Sequence, residues 1–210
     1  MIPTDKNSAL VAELTTAARR AYGRGMQTGS GGNLSARVPG EERMIISGSG
    51  SSFADCEASG KGWVVTDFGG TQKGEDGVAP SKESRLHGYL YQQLPEVMSI
   101  VHCHSAWAIA WANAAEELPF VSWQSVLKLR YPLQIFGQGQ SAVSAEECET
   151  IGAALKKTPG ATCFLLREHG LVAMGGSPLA AEHQAEFVEE CAKIAILKRL
   201  IGAPLFTGEA

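Results

Sequence analysis

His102, Cys103 and His104 form a His-x-His triplet at the end of an apolar, β-branched run, Val97-Met98-Ser99-Ile100-Val101. In an extended chain residues i and i+2 project from one face, so the two imidazoles aim at one point while Cys103 points away. His169 follows a second apolar run, Ala161 to Leu166, and precedes Gly170. Three neutral imidazoles with one open position suit a catalytic Zn²⁺, whereas a structural zinc is usually closed by four protein ligands. A lone His-x-His says little. Two strands that both lead into histidine point to a metal centre on His102, His104 and His169. Upstream, Glu83 lies on a helix that leads straight into the His-x-His strand, where its carboxylate can serve as a ligand or as a general base. His87, four residues further along that helix, shares its face and is read as a packing histidine.

Two Gly/Ser loops, Gly29-Ser30-Gly31-Gly32-Asn33 and Ser47-Gly48-Ser49-Gly50-Ser51, stand at strand ends. Glycine lets backbone N–H groups approach an anion, and serine adds short hydroxyl donors. Neither loop matches a Walker A or dinucleotide fingerprint. Each alone is a turn; with Ser81-Lys82 they make an anion cradle holding one fixed positive charge.

The elements needed to position these groups are legible in outline. Residues 8–24 have helical spacing with Ser8 as N-cap, Asn33 to Val38 and Arg43 to Ile46 read as a hairpin, and Trp63 to Phe68 as a strand. Pro80-Ser81 is expected to open a helix running to about Leu94, ahead of the His-x-His strand. Further helices are expected over 105–116, 144–157 and 178–201, with strands at Tyr131 to Phe136, Ala161 to Leu166 and Leu171 to Met174. With no repeat or linker, residues 1–210 read as one α/β domain, a largely antiparallel central sheet flanked by helices.

Bulk properties narrow the function. A net charge of −4 argues against nucleic acid or an anionic membrane as the main partner, so any phosphate site must be local. No apolar stretch is long enough to span a bilayer, and Met1 to Lys6 lacks the layout of a signal peptide. Cys56, Cys103, Cys148, Cys163 and Cys191 are odd in number and show no C-x-x-C spacing, which suits reduced thiols in a cytoplasmic protein.

Taken in order, Gly32-Asn33-Leu34-Ser35, Ser47-Gly48, Pro80-Ser81-Lys82-Glu83 with His87, His102-Cys103-His104 and His169-Gly170 resemble the class II aldolase/adducin family over nearly the whole chain. Its enzymes include fuculose-1-phosphate aldolase, ribulose-5-phosphate 4-epimerase, methylthioribulose-1-phosphate dehydratase and sugar-acid phosphate decarboxylases. The resemblance implies Zn²⁺, or another divalent ion such as Mn²⁺ or Co²⁺, on His102, His104 and His169, with Glu83 as the acid/base. It implies that Ser30, Gly32, Asn33, Ser47, Gly48, Ser81 and Lys82 hold a substrate phosphate, in a homotetramer with active sites between subunits. Adducin-type binding modules have lost the metal histidines, so the three present favour an enzyme. The shared chemistry is a metal-stabilised enediolate, with ketose 1-phosphate cleavage slightly ahead of decarboxylation or dehydration. One departure is Trp123, where fuculose-phosphate aldolase carries a proton-donating tyrosine. An indole N–H donates a hydrogen bond but is no acid near neutral pH. Lys82, where the aldolase has a second serine, resembles the decarboxylase branch, and Gln124 with Lys128 resembles the dehydratase branch.

Overall fold

Alternation along the strands assigns side chains to two faces of one sheet. In the computed structural model, which describes residues 7–71, 77–137 and 142–206, β1 (Asn33–Arg37) pairs antiparallel with both β2 (Arg43–Ser47) and β4 (Ser99–Cys103). Beyond β2 lies β3 (Trp63–Asp67). Beyond β4 come β8 (Gly170–Gly175), β7 (Cys163–Leu166), β6 (Leu133–Phe136) and the short β5 (Glu117–Leu118). Only the β6–β7 pair is parallel among the described residues, which matches the largely antiparallel expectation.

Val101, Cys103, Leu165, Leu171 and Ala173 face a cluster built with α1 (Ser8–Gly23), α3 (Ala106–Ala114) and α6 (Pro178–Leu200). Their neighbours Ile100, Phe164, Leu166, Val172 and Met174 face the opposite way, against α2 (Ser84–Gln93) and α5 (Ala145–Lys157). The result is three layers, helices on either side of the sheet. Period 2 therefore sends Cys103 into the α1/α3/α6 layer and His102 to the α2/α5 side. Cys103 is fully buried, as the sequence implied. No helix among the described residues is long and apolar enough to cross a membrane. Met1 to Lys6, read above for a leader, lies outside those residues.

Several boundaries move. The N-cap of α1 is Asn7, not Ser8. Pro80 and Ser81 do not open α2: Pro80 bridges Gly48, and the Ser81 N–H donates to the Ser47 carbonyl at 3.1 Å. That pairing holds the segment extended beside the end of β2, so α2 starts at Ser84 with Glu83 as its N-cap. The strand expected from Tyr131 begins at Leu133, after Pro132, which has no N–H to give a ladder. A short helix, α4 (Trp123–Leu129), closes a capping box between Ser122 and Ser125 that the sequence reading passed over.

Candidate active site

Three segments bring the histidines together. His102 sits in β4, His104 is the first residue beyond that strand, and His169 lies in the turn joining β7 to β8. The His102 Nε2 lies 3.0 Å from the His104 Nε2 and 3.3 Å from the His169 Nε2. Nitrogens bound tetrahedrally at 2.0–2.1 Å stand about 3.3 Å apart, so the trio has the spacing of a metal ligand set. The His102 Nδ1 is 2.9 Å from the Leu171 carbonyl, which can only accept, so the ring proton resides on Nδ1. Its Nε2 then carries a lone pair aimed at the other two rings, the orientation device of metal-ligating histidines. Burial, with neighbouring imidazoles, holds His102 well below the usual histidine range. Burial likewise takes His169 down to about 4 and lowers His104. All three are neutral near pH 7, as ligands must be. The donor set fits a divalent ion.

Glycines permit the approach. A Cβ on Gly170 would stand 2.1 Å from the Cys103 carbonyl, and one on Gly32, at φ +83, would stand 2.5 Å from the His102 carbonyl. Either substitution would force β4, which carries His102, away from its neighbour, β1 or β8. Gly31 leaves room for His104, whose Nδ1 would be 2.8 Å from an added Cβ.

Glu83 is buried, with 6% exposure, and neither carboxylate oxygen has a hydrogen-bond partner among the described residues. Burial pushes its carboxyl up to about 7, opposed in part by the nearby Val143 N–H and reinforced by the Glu147 charge. Among the described residues the group of potential ligands comprises the three histidines and does not include Glu83. Glu147, which the sequence reading did not single out, is the shared electrostatic neighbour of Glu83 and His169. Its signal was available: Ser144 and Glu147 form a capping box at 2.8 and 3.1 Å, fixing that carboxylate at the start of α5. His87 is fully buried, its Nδ1 2.7 Å from the Ser35 Oγ, and burial takes it down to about 3. It packs, as read.

The loops converge as well. Asn33 pairs with His102 across β1–β4, and the Leu34 N–H donates to the Ser47 Oγ at 3.3 Å, tying the first loop to the second. The Gly48–Pro80 bridge ties the second to Ser81 and Glu83. Asn33 keeps a buried Oδ1 without a partner among the described residues. Ser30 and Lys82 are exposed at the rim. Lys82 also lines, with Ser81, Arg85 and Gly69 to Thr71, a cleft of about 440 Å³.

Residues 12–196 match the family described as Class II Aldolase and Adducin N-terminal domain. A 3-oxo-tetronate 4-phosphate decarboxylase of Haemophilus influenzae is 32% identical over 184 residues, covering 84% of this chain and 81% of the decarboxylase. The L-ribulose-5-phosphate 4-epimerase UlaF of Salmonella paratyphi C is 30% identical over 197 residues, with 86% and 81% covered. Among solved structures, an L-fuculose 1-phosphate aldolase superposes with a TM-score of 0.82 at 27% identity, covering 96% of this chain and 91% of the aldolase. The matched region spans all the elements that carry the histidines, Glu83 and the Gly/Ser loops, and the chain is an enzyme that belongs to the class II aldolase and adducin N-terminal domain family.

Proposed function

We propose that the chain is a divalent-metal-dependent lyase acting on a small sugar phosphate, with His102, His104 and His169 as ligands and Glu83 as the proton-transfer group. The observation that carries this reading is the meeting of three imidazole nitrogens at 3.0 and 3.3 Å, one with its lone pair set by the Leu171 carbonyl. A divalent ion held there (zinc, manganese or cobalt) supplies Lewis acidity toward a substrate carbonyl and its neighbouring hydroxyl. Glu83, with a carboxyl near 7, can hold or release a proton at working pH, the property a general acid/base needs. Ser30, Gly32, Asn33, Ser47, Gly48, Ser81 and Lys82 take the phosphate, so that binding remote from the reacting carbons orients them.

Among the reactions of the family we put decarboxylation of a 3-oxo sugar-acid phosphate ahead of the ketose 1-phosphate cleavage favoured from the sequence. The 32% identity to a decarboxylase supports this order, as does Lys82. Trp123 supports it too: the residue is 61% exposed, its ring packs on Phe206 with centroids 5.1 Å apart, and an indole supplies no acid for aldol cleavage. In decarboxylation the carboxylate leaves as CO₂, its bonding pair stays on the adjacent carbon, and Glu83 returns a proton to that carbon. Residues 1–210 form one domain of a homotetramer with sites between subunits. Exposed Trp123, Leu127, Leu200 and Ile201 suit burial against a second copy. The free, buried cysteines suit the cytoplasm.

The test is to load the protein with each metal and offer 3-oxo-tetronate 4-phosphate and L-fuculose 1-phosphate, measuring CO₂ and aldehyde. CO₂ from the first, abolished by a chelator, is the expected outcome. Aldehyde from the second without CO₂ from the first restores the aldolase order. Neither product from metal-loaded protein overturns both.

A further inference from the structure

We infer that Glu189 is a positioning residue for His104, acting through the first turn of α3; the inference rests on the metal reading above. Of the three histidines, His104 is held least by its own ring. His102 donates to the Leu171 carbonyl, whereas no hydrogen bond ties the His104 ring to a residue outside the histidine trio among the described residues. The place of its imidazole therefore depends on where the backbone puts its Cα. Upstream that backbone is fixed by the Cys103–Leu171 register of β4 and β8. Downstream it runs through Ser105, the N-cap of α3.

Ser105 does not perform the usual work of an N-cap. Its side chain makes no cap bond, and its Oγ is buried without a partner among the described residues. A helix start leaves backbone N–H groups unsatisfied, and some other acceptor must meet them. Glu189, from the middle of α6, does so with both oxygens. Its Oε1 accepts the Trp107 N–H at 3.0 Å and its Oε2 accepts the Ala108 N–H at 2.9 Å. The carboxylate is ionically suited to the positive end of the helix dipole, and charge-assisted bonds of this kind are the stronger ones. One turn further along α6, Lys193 Nζ lies 5.6 Å from the Trp107 ring centroid, so the same helix also grips the side chain of that turn. On the far side of His104 the imidazole occupies space that Gly31 leaves open, where an added Cβ would come within 2.8 Å of Nδ1. A shift of the α3 start would move the imidazole away from the His102 nitrogen, 3.0 Å from its own.

A cap that only stabilised the helix would lower the melting temperature and leave the metal untouched, so the experiment measures the metal directly. Zn²⁺ affinity by chelator competition and the visible spectrum of the Co²⁺-loaded protein are compared for the native chain, Glu189→Ala, Glu189→Gln, Arg20→Ala and His104→Ala. Losing an outer partner of a metal ligand costs 10–100-fold in affinity, so Glu189→Ala should weaken Zn²⁺ about 10-fold and shift the Co²⁺ bands. Glu189→Gln, which keeps one acceptor oxygen, should fall between native and alanine. Arg20→Ala removes the α1–α6 ion pairs with Glu182 and Glu186 without touching α3, and should keep native affinity and spectrum. Native affinity and spectrum in a folded Glu189→Ala or Glu189→Gln protein overturns the inference. A loss in Arg20→Ala equal to that in the Glu189 variants does so too. Native affinity in His104→Ala overturns instead the metal reading on which it rests.

Discussion

On the face of the sheet covered by α1, α3 and α6, two carboxylates, buried Glu182 and half-buried Glu189, each have a partner. Glu182 accepts the Arg20 Nε–H at 2.9 Å with one oxygen and Glu189 caps α3 with both, although Glu182 Oε1, Ser105 Oγ and Gln27 Nε2 have no partner among the described residues. On the face covered by α2 and α5, Glu83 has neither oxygen paired, and Asn33 Oδ1 and His87 Nε2 are likewise orphaned among the described residues. The strand between the faces is the same: β4 presents Val101 and Cys103 to one and Ile100 and His102 to the other. Buried polar groups left without partners cost stability and are rare in native folds. Such groups occur on both faces, but Glu83 alone among the described carboxylates has both oxygens buried and unpaired. The faces differ in their carboxylates: on one side Arg20 and the start of α3 hold them, and on the other Glu83 has no such partner.

The sharpest way to break this contrast is His102→Ala, which removes the central nitrogen of the trio. Metal content, by elemental analysis, should fall to background and activity with it. Native metal content would dissolve the distinction between the faces. Next is Glu83→Gln, which keeps shape and hydrogen bonding but removes the acid/base. We expect kcat to fall by about 10²- to 10⁴-fold with metal retained. Full activity would place Glu83 among the merely buried groups.

On the other face, Leu14→Ala opens a cavity in the α1/α3/α6 cluster, where Leu14 is fully buried. The expected loss is about 2–5 kcal/mol in denaturant unfolding, with metal affinity unchanged in the folded protein. A parallel loss of metal affinity would show that the layers are coupled through the sheet. The smallest effect concerns pH. Burial raises Glu83 to about 7 in the folded chain, against an ordinary 4.5, so the fold favours the protonated carboxyl. The stability this contributes is full below about pH 4.5 and lost as pH rises through 7. In metal-free protein Glu83→Gln should therefore be more stable than native at pH 8, by about 1–3 kcal/mol, the penalty of an unpaired buried polar group. The difference should shrink toward pH 5. No difference at pH 8 would mean that the carboxylate is solvated or paired.

The histidine trio was legible because strand periodicity is local: an apolar run ending in His-x-His commits both imidazoles to one side before any partner strand is known. The same rule sent Cys103 to the opposite layer. Glu83 was legible as a candidate from its place just before the His-x-His strand, but its choice between ligand and base was not. Its raised carboxyl depends on burial, with smaller effects of Val143 and Glu147, which only the packed chain brings near. The start of α2 was misplaced for a related reason. Pro80-Ser81 is a good helix opening locally, yet a bridge to Gly48 outweighs that preference. Glu189 gave no sequence signal at all, since it caps a helix some eighty residues away and caps are recognised from sequence only when they are adjacent. Residue order by itself determined the two-faced strands, the helix-and-sheet layering and the candidate ligands, because these follow from periodicities of a few residues. Tertiary structure alone decided which carboxylates are paired and which are left bare, because desolvation and hydrogen bonding depend on neighbours distant in the chain.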